Sequence, residues 1–349
     1  MAITHYKGIL GEFDYDTEEF FINYFEDPED RMCYIGDKVK GEDIIIPEGV
    51  TDCSRMFENN IFLITAPRIP KTVKKCERMF KWCSSLKIAP EIPKGVINCS
   101  EMFRACKSLT TVSEIPDNAD CSRMFMACTS LTMAPRLPDN IGCAGIFADC
   151  SSLEIAPIIP EKIRYCVGMF KGCTSLEIPP KIPATADNCS HMFEGCTSLE
   201  IAPKIPATAD DCSYMFAGCT SLEIPPIIPE KVENCESMFE GCTSLIETPI
   251  LPEGIKYCKS MFEGCTSLEV APEMVPIGIQ DCKDMFKDCT SLLETPVLPD
   301  GIKYCKSMFE GCTSLTTVQE IIPKGVKDYI DMFRGCTALK KRPIIIIDL

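Results

Sequence analysis

Residues 166–176 read Cys-Val-Gly-Met-Phe-Lys-Gly-Cys-Thr-Ser-Leu, and related stretches recur thirteen times along the chain at steps of 22 to 24 residues. The first cysteine of each repeat defines a first column: Cys53, Cys76, Cys99, Cys121, Cys143, Cys166, Cys189, Cys212, Cys235, Cys258, Cys282 and Cys305, with Tyr329 in the thirteenth place. The second cysteine defines a second column: Asn60 in the first place, then Cys83, Cys106, Cys128, Cys150, Cys173, Cys196, Cys219, Cys242, Cys265, Cys289, Cys312 and Cys336. A period of this length is typical of a solenoid, in which each unit buries its apolar face only against its neighbours.

Each repeat contains a segment whose spacing predicts a short helix. Ile163, Cys166, Met169, Phe170 and Cys173 fall on one side of a helix. Asp, Asn or Gly often precedes the first cysteine, where it would cap the helix, and Gly often precedes the second, where it would end it. We therefore expect a helix of about two turns that depends on stacking for its stability.

The segment that follows each helix predicts a short strand. Alternation along Leu176–Pro183 places Leu176, Ile178 and Ile182 inward and Glu177 outward. Neighbouring strands of this kind would pair in parallel, about 4.8 Å apart. Each proline removes a ladder hydrogen bond, so the paired part should be short.

The two ends of the chain depart from the repeat. Residues 1–46 are interpreted as a mainly β N-terminal cap, or as a module that attaches the stack to a larger assembly. The repeats occupy 47–342, and 343–349 form an isoleucine-rich, strand-like tail. An apolar tail of this kind could close the last sheet edge or pair with another chain.

Three stretches of the repeat resemble the BspA-like leucine-rich repeats: Met169–Leu176 with Ile182-Pro183, Met192–Leu199 with Ile205-Pro206, and Met238–Leu245 with Leu251-Pro252. The resemblance implies an α/β solenoid: a right-handed leucine-rich-repeat-like stack of about 13 repeats, each a short parallel strand plus a short helix. It also implies a protein that binds other proteins or host surfaces and has no enzymatic activity.

Composition and charge limit the cellular compartment and the classes of partner that we expect for this protein. Asp and Glu outnumber Lys and Arg by 51 to 35, and a net charge of −16 disfavours binding to nucleic acid or anionic lipid. We find no signal peptide and no apolar run long enough to span a membrane. The 25 cysteines are therefore interpreted as buried, reduced thiols in a protein that is cytoplasmic or is assembled into a particle inside the cell.

The repeated cysteines do not predict chemistry. Cysteines seven residues apart on a helix lie about 10.5 Å from each other, too far for a disulfide within a repeat. Disulfides between adjacent repeats stay an open alternative. The two histidines, His5 and His191, do not combine with the cysteines into a zinc or catalytic pattern. A further alternative is that the stacked Cys and Met side chains hold Cu(I) or act in redox chemistry. We predict no metal, no cofactor and no enzymatic activity.

The outward sheet positions are the candidate binding site. One row, directly after the buried leucine, carries acidic residues, and a second row four residues later carries lysine or isoleucine. The predicted site consists of Glu154, Glu177, Glu200, Glu223 and Glu269 in the first row, with Lys181, Lys204, Ile227 and Ile250 in the second. This arrangement fits a basic, partly apolar protein, although charge spacing for solubility would give the same rows.

The function predicted from the sequence is a non-catalytic protein-interaction or attachment module with a protein partner. The alternative is a structural component, such as a fibre, spacer or decoration protein of a viral or phage-like particle. In that case residues 1–46 or the isoleucine-rich C-terminal edge would mediate self-association. Membrane insertion and nucleic-acid binding are not expected.

Overall fold

The structure is a computed structural model, and it describes residues 2–6, 9–14, 19–22, 44–341 and 343–345. The chain divides into two compact units, Met1–Ile163 and Arg164–Leu349. The predicted solenoid is present in both as stacked, repeating turns. Within the described residues, no helix is long and apolar enough to cross a membrane.

Three antiparallel strands begin the first unit: β1 at Ala2–Tyr6, β2 at Ile9–Asp14 and β3 at Glu19–Ile22. They form a meander in the order β1-β2-β3, with Ala2 opposite Phe13 and Gly11 opposite Ile22. These strands agree with the expected β content of the N-terminal segment, whose remaining residues up to 43 lie outside the described part.

The predicted helix is wrong, because the segment between the two cysteine columns forms successive turns. In Cys53–Asn60, Met56 N–H bonds to Cys53 O, Glu58 N–H to Arg55 O and Asn60 N–H to Phe57 O. The intervening N–H groups bond to the next repeat instead: Cys53 N–H reaches Lys75 O at 2.9 Å and Phe57 N–H reaches Met79 O at 2.8 Å. An α-helix would instead bond Phe57 N–H to Cys53 O inside the segment, so hydrogen bonding between repeats replaces it.

Backbone dihedrals at two positions of each repeat explain the same departure from a helix. The residues two and six places after the first column have positive φ, for example Gly168 at 56° and Gly172 at 70°. The left-handed region is compatible with type II turns and interrupts a right-handed helix. The glycine expected to end a helix therefore does adopt the left-handed conformation, but it closes a turn.

The residue before the first column also keeps its expected capping role in a different setting. Asn188 Oδ1 accepts a hydrogen bond from Ser190 N–H at 3.0 Å, and Asp211 Oδ1 accepts one from Ser213 N–H at 3.0 Å. These are Asx-turns, in which the side chain bonds the backbone two residues on. Sequence patterning alone does not separate this use from a helix N-cap, because both need an Asp or Asn oxygen at the same place.

Stacked phenylalanines form the centre of the core in each unit. Phe57, Phe80, Phe103, Phe125 and Phe147 are all buried in the first unit, and successive rings have centroids 5.4–5.8 Å apart. The second unit continues the arrangement from Phe170 to Phe333 with interplanar angles of 2–11°. Each ring therefore stacks on its counterparts in adjacent repeats, and the Met, Cys and Leu columns are buried with it.

The predicted parallel strands are reduced to single paired residues. Parallel bridges join Thr65 to Ile88 in the first unit and Ile201 to Ile224 in the second. A second series of parallel bridges runs through the residue before the first cysteine, as in Asn188 to Asp211. The prolines that follow each bridge have no N–H to donate, which keeps the pairing from extending.

The second unit ends in a short parallel pair. Strand β4 at Ile321–Ile322 pairs with β5 at Ile344–Ile345, with Ile321 opposite Ile344. This pairing agrees with a tail that covers the edge of the preceding repeat; residues 346–349 lie outside the described part.

Candidate functional site

The acidic row predicted from the sequence lies on the surface. In the second unit Glu177, Glu200, Glu223 and Glu269 are exposed, each directly after a fully buried leucine. Among the described residues, no lysine or arginine forms an ion pair with Glu177, Glu200 or Glu223. Like charges in adjacent repeats destabilise the stack slightly.

The second predicted row is exposed as well. Lys181 and Lys204 are exposed, and the isoleucines in the same place of later repeats, Ile227 and Ile250, have 88% and 91% of their surface accessible. Glu154 is also exposed but belongs to the first unit, where its exposed apolar neighbours are Ile155 and Ile158. The eight predicted residues of the second unit therefore share one face of that unit, and Glu154 occupies the equivalent place in the first.

The structure adds a third row that the sequence reasoning placed in the core. Ile178 was expected to point inward, but 79% of its surface is exposed. Ile201, Ile224 and Val270, in the same place of later repeats, are exposed too. The prediction failed because strict alternation was assumed from Leu176, whereas this segment pairs through single residues, as at Ile201 and Ile224, and the following prolines prevent a continuous strand.

We define the Glu/Ile face as Glu177, Ile178, Glu200, Ile201, Glu223 and Ile224, flanked by Lys181, Lys204, Ile227 and Ile250. The backbone beneath it is fixed by the parallel bridge between Ile201 and Ile224. Each repeat therefore contributes a carboxylate and a branched apolar side chain side by side, at the spacing of paired strands, about 4.8 Å. The sequence did indicate this third row, because an isoleucine recurs two places after the buried leucine in four successive repeats: Ile155, Ile178, Ile201 and Ile224.

The cysteine columns are structural. The described cysteines are thiols, all buried except the half-buried Cys336. In the second column, Cys196 Sγ donates to Phe170 O at 3.1 Å and Cys219 Sγ donates to Phe193 O at 3.1 Å. Burial raises the pKa of Cys196 to about 12. Thiols held protonated in this way are poor nucleophiles and poor metal ligands.

Among the described residues, no group of three or more His, Cys, Asp or Glu side chains is arranged to hold a metal ion.

The repeated threonines bond to the backbone of the preceding repeat. Thr197 Oγ1 donates to Thr174 O and Thr220 Oγ1 donates to Thr197 O, each at 3.5 Å. Stacked turns thus use the hydroxyls to satisfy carbonyl groups.

Comparison with known families identifies the class of protein. The family model for the BspA type leucine rich repeat region matches 37–132, 77–200, 140–269 and 275–344, with six copies in all. The chain therefore belongs to the BspA type leucine-rich repeat family, as the resemblance indicated. No curated protein matches the sequence at a significant level.

A solved structure shows the same fold. It is the crystal structure of a leucine-rich repeat protein from Bacteroides ovatus ATCC 8483 at 1.19 Å resolution, 20% identical to this chain. The similarity covers 98% of each chain with a TM-score of 0.69. This agreement supports the repeat solenoid, and neither comparison points to catalysis or to a viral or phage-like particle.

Proposed function

We propose that this leucine-rich repeat protein is a non-catalytic interaction module that binds a protein partner through the Glu/Ile face of its second unit. The family supports a role in protein interaction or adhesion. The observation that carries the choice of face is the row of exposed isoleucines Ile178, Ile201 and Ile224 beside the acidic row. Contiguous exposed apolar side chains mark interaction surfaces more often than isolated ones do.

The chemistry of the face defines the partner. Unpaired carboxylates attract lysine and arginine, and the isoleucines bury apolar side chains on contact. An extended segment that alternates basic and apolar side chains can satisfy both rows at once, because the two rows run side by side along the stack. The partner we propose is therefore a protein that presents such a basic, partly apolar segment.

We propose the following organisation for the whole chain: an N-terminal cap in 1–46, about thirteen repeats in 47–342, and a closing tail in 343–349. The repeated turns and the three strands β1–β3 support this division. Buried thiols without disulfides in the described part further favour a reducing, intracellular compartment. Thiol titration of the native-source protein in denaturant would contradict that compartment if most of the 25 cysteines proved to be oxidised.

The face can be tested with a defined probe. A fluorescent peptide that alternates Lys and Val is titrated with the full-length protein, and its anisotropy is measured beside a peptide that alternates Glu and Val. The variant Glu177→Lys/Glu200→Lys/Glu223→Lys should weaken binding of the Lys peptide at least tenfold. The variant Ile178→Thr/Ile201→Thr/Ile224→Thr should weaken it with the surface charge unchanged.

The matched control is Glu230→Lys/Asp300→Lys/Glu320→Lys, which makes the same change of net charge at exposed positions outside the Glu/Ile face. It should bind the Lys peptide nearly as tightly as the unchanged protein does. Equal loss of affinity in the control and the acidic-row variant would show a general charge effect and overturn the assignment. Binding that survives both face variants would also overturn it.

A further inference from the structure

Charge is unevenly distributed within the first unit. Between residues 55 and 107 the sequence has eleven Lys and Arg against four Asp and Glu, in a chain whose net charge is −16. Between 108 and 163 it has three basic against seven acidic residues. A basic segment is thus followed directly by an acidic one within the same unit. The net charge of the whole chain does not show this difference between the two segments.

Arginine occupies the same turn position in three of the first four repeats, two of them in the basic segment and one, Arg123, in the segment that follows it. Arg55, Arg78 and Arg123 occupy the first positive-φ position of their repeats, with φ of 61°, 55° and 56°. Their backbones are fixed by bonds to the next repeat: Arg55 N–H to Glu77 O at 2.8 Å and Arg78 N–H to Ser100 O at 3.0 Å. Together with Lys81 and Arg104 they define what we call the cationic turn face.

One buried carboxylate organises the middle of this face. Glu101, whose side chain is 10% exposed, accepts hydrogen bonds from Arg78 Nη2 at 3.1 Å, Lys81 Nζ at 2.8 Å and Arg104 Nη1 at 3.0 Å. Burial would raise the pKa of Glu101, but these three hydrogen bonds outweigh it and hold the pKa at about 2. Two further carboxylates lie on the same face: Glu77 is 3.7 Å from Arg78 Nε, and Glu58 is 3.8 Å from both Lys81 Nζ and Arg55 Nε. Five cations against three carboxylates leave the face with a net positive charge and ordered donors.

An exposed aromatic residue follows Lys81 in the same turn segment. Trp82, the single tryptophan of the chain, directly follows Lys81, and its backbone N–H donates to Arg104 O at 2.8 Å. Its side chain is 44% exposed although it is large and apolar. Tryptophan and arginine are both enriched among the residues that dominate binding energy at protein interfaces.

We propose that the cationic turn face of the first unit, with Trp82, binds an acidic peptide segment of a protein. Glu101 shows within the molecule that this face coordinates carboxylates through Arg and Lys. The cationic turn face runs from Arg55 in the first repeat to Arg123 in the fourth. Three steps at the spacing of paired strands give roughly 15 Å, which matches a short peptide. A longer polyanion such as nucleic acid would extend over the acidic residues of 108–163 and be repelled there. The inference is independent of the Glu/Ile face, which selects the opposite charge.

The test uses the intact protein and a fluorescent peptide rich in Glu with one Phe at its centre. The variant Arg55→Glu/Arg123→Glu removes two cations that lie outside the Glu101 cluster. Glutamate is accommodated at this turn position, because Glu101 occupies it with φ of 53°. The variant should weaken peptide binding at least tenfold, and Trp82→Ala should weaken it as well. Added to the unchanged protein, the same peptide without its label should change the fluorescence of Trp82.

The matched control is Lys87→Glu/Lys94→Glu, which changes the net charge equally at exposed positions of the same segment outside the turn face. The proposal requires that this control keep most of the affinity. Equal losses in the two double variants would overturn it, since binding would then follow net charge alone. An oligonucleotide that binds more tightly than the acidic peptide at physiological salt would overturn it in favour of a nucleic-acid ligand.

Discussion

The second-column cysteines do more than fill the core. Phe193 O accepts both the N–H of Cys196 at 3.0 Å and the Sγ–H of Cys219, from the following repeat, at 3.1 Å. The same thiol-to-carbonyl contact recurs in both units, for example from Cys106 to Phe80 O at 3.0 Å. A thiol is small and apolar enough for the core yet can donate a weak hydrogen bond. Alanine would provide only the first property.

Thiol burial predicts a characteristic loss of stability at alkaline pH. Burial raises the pKa of Cys53, Cys150 and Cys265 from 9.0 to about 12, so folding favours the protonated form. The resulting stabilisation is complete below pH 9 and declines above it, because the thiols of the unfolded chain ionise first. We expect the unfolding midpoint in urea to fall as the pH rises from 9 to about 12.

Thiolate absorbance measured alongside circular dichroism provides the check on this prediction. The absorbance should rise together with unfolding and should not precede it. Thiolate formation near pH 9 in protein whose circular dichroism is still native would contradict it. Added reductant in every sample is the control against oxidation.

At the scale of the element, each repeat is built from turns whose left-handed positions accept several residue types. Gly218, with φ of 72°, and Ala127, with φ of 60°, occupy the same place in different repeats. A side chain in this region has a steric cost that glycine avoids. The frequent glycine before the second column therefore reflects backbone conformation more than space.

Gly218→Ala should destabilise the second unit by about 1 kcal/mol, the cost of placing a Cβ in the left-handed region. Space is not the limiting factor, because the new Cβ would lie 3.6 Å from Gly195 Cα, an ordinary contact. Urea unfolding of the variant measures this cost. The reverse change, Ala127→Gly, should be neutral or slightly stabilising, and a large loss of stability from it would argue against backbone strain as the cause.

The sequence predicted the buried columns but could not distinguish a helix from successive turns. Cys166, Met169, Phe170 and Cys173 have the spacing of a helix face, and the same spacing arises when turns close every two to three residues. The deciding bonds run between repeats, as from Gly172 N–H to Glu194 O at 2.6 Å. No pattern within one repeat reports on such bonds.

The candidate site was partly predictable for a related reason. Glu177 and Lys181 were placed outward correctly, since charged side chains are rarely buried without partners. Ile178 was misplaced because its apolar character agreed with an assumed strand alternation. The basic segment from 55 to 107 was missed because charge was summed over the whole chain and not segment by segment.

At the scale of the whole molecule, packing between neighbours makes stability depend on position. Phe193 is fully buried and stacks on Phe170 and Phe216 at 5.8 Å and 5.9 Å. Phe57, in the first repeat, stacks on Phe80 at 5.4 Å. A repeat inside a unit has structural neighbours before and after it, so damage there disrupts two interfaces.

Phe193→Ala should cost about 3–5 kcal/mol, from lost burial and the cavity left behind. Phe57→Ala should unfold the beginning of the first unit locally and leave the later repeats folded. Hydrogen exchange measured repeat by repeat distinguishes the two outcomes, with the unchanged protein as reference. Equal, global loss of protection in both variants would contradict nearest-neighbour stability.

The bonds between repeats also determine how the protein responds to a mechanical load. Each turn segment gives every second N–H group to the adjacent repeat, as Tyr214 N–H does to Glu236 O at 2.9 Å. When a terminal repeat detaches under tension, only its own set of bonds breaks, and its neighbour becomes the new end. Each step then releases about 80 Å of extended chain. A protein that holds a partner under shear would thus lengthen in small, reversible increments and limit the force on the bond to that partner.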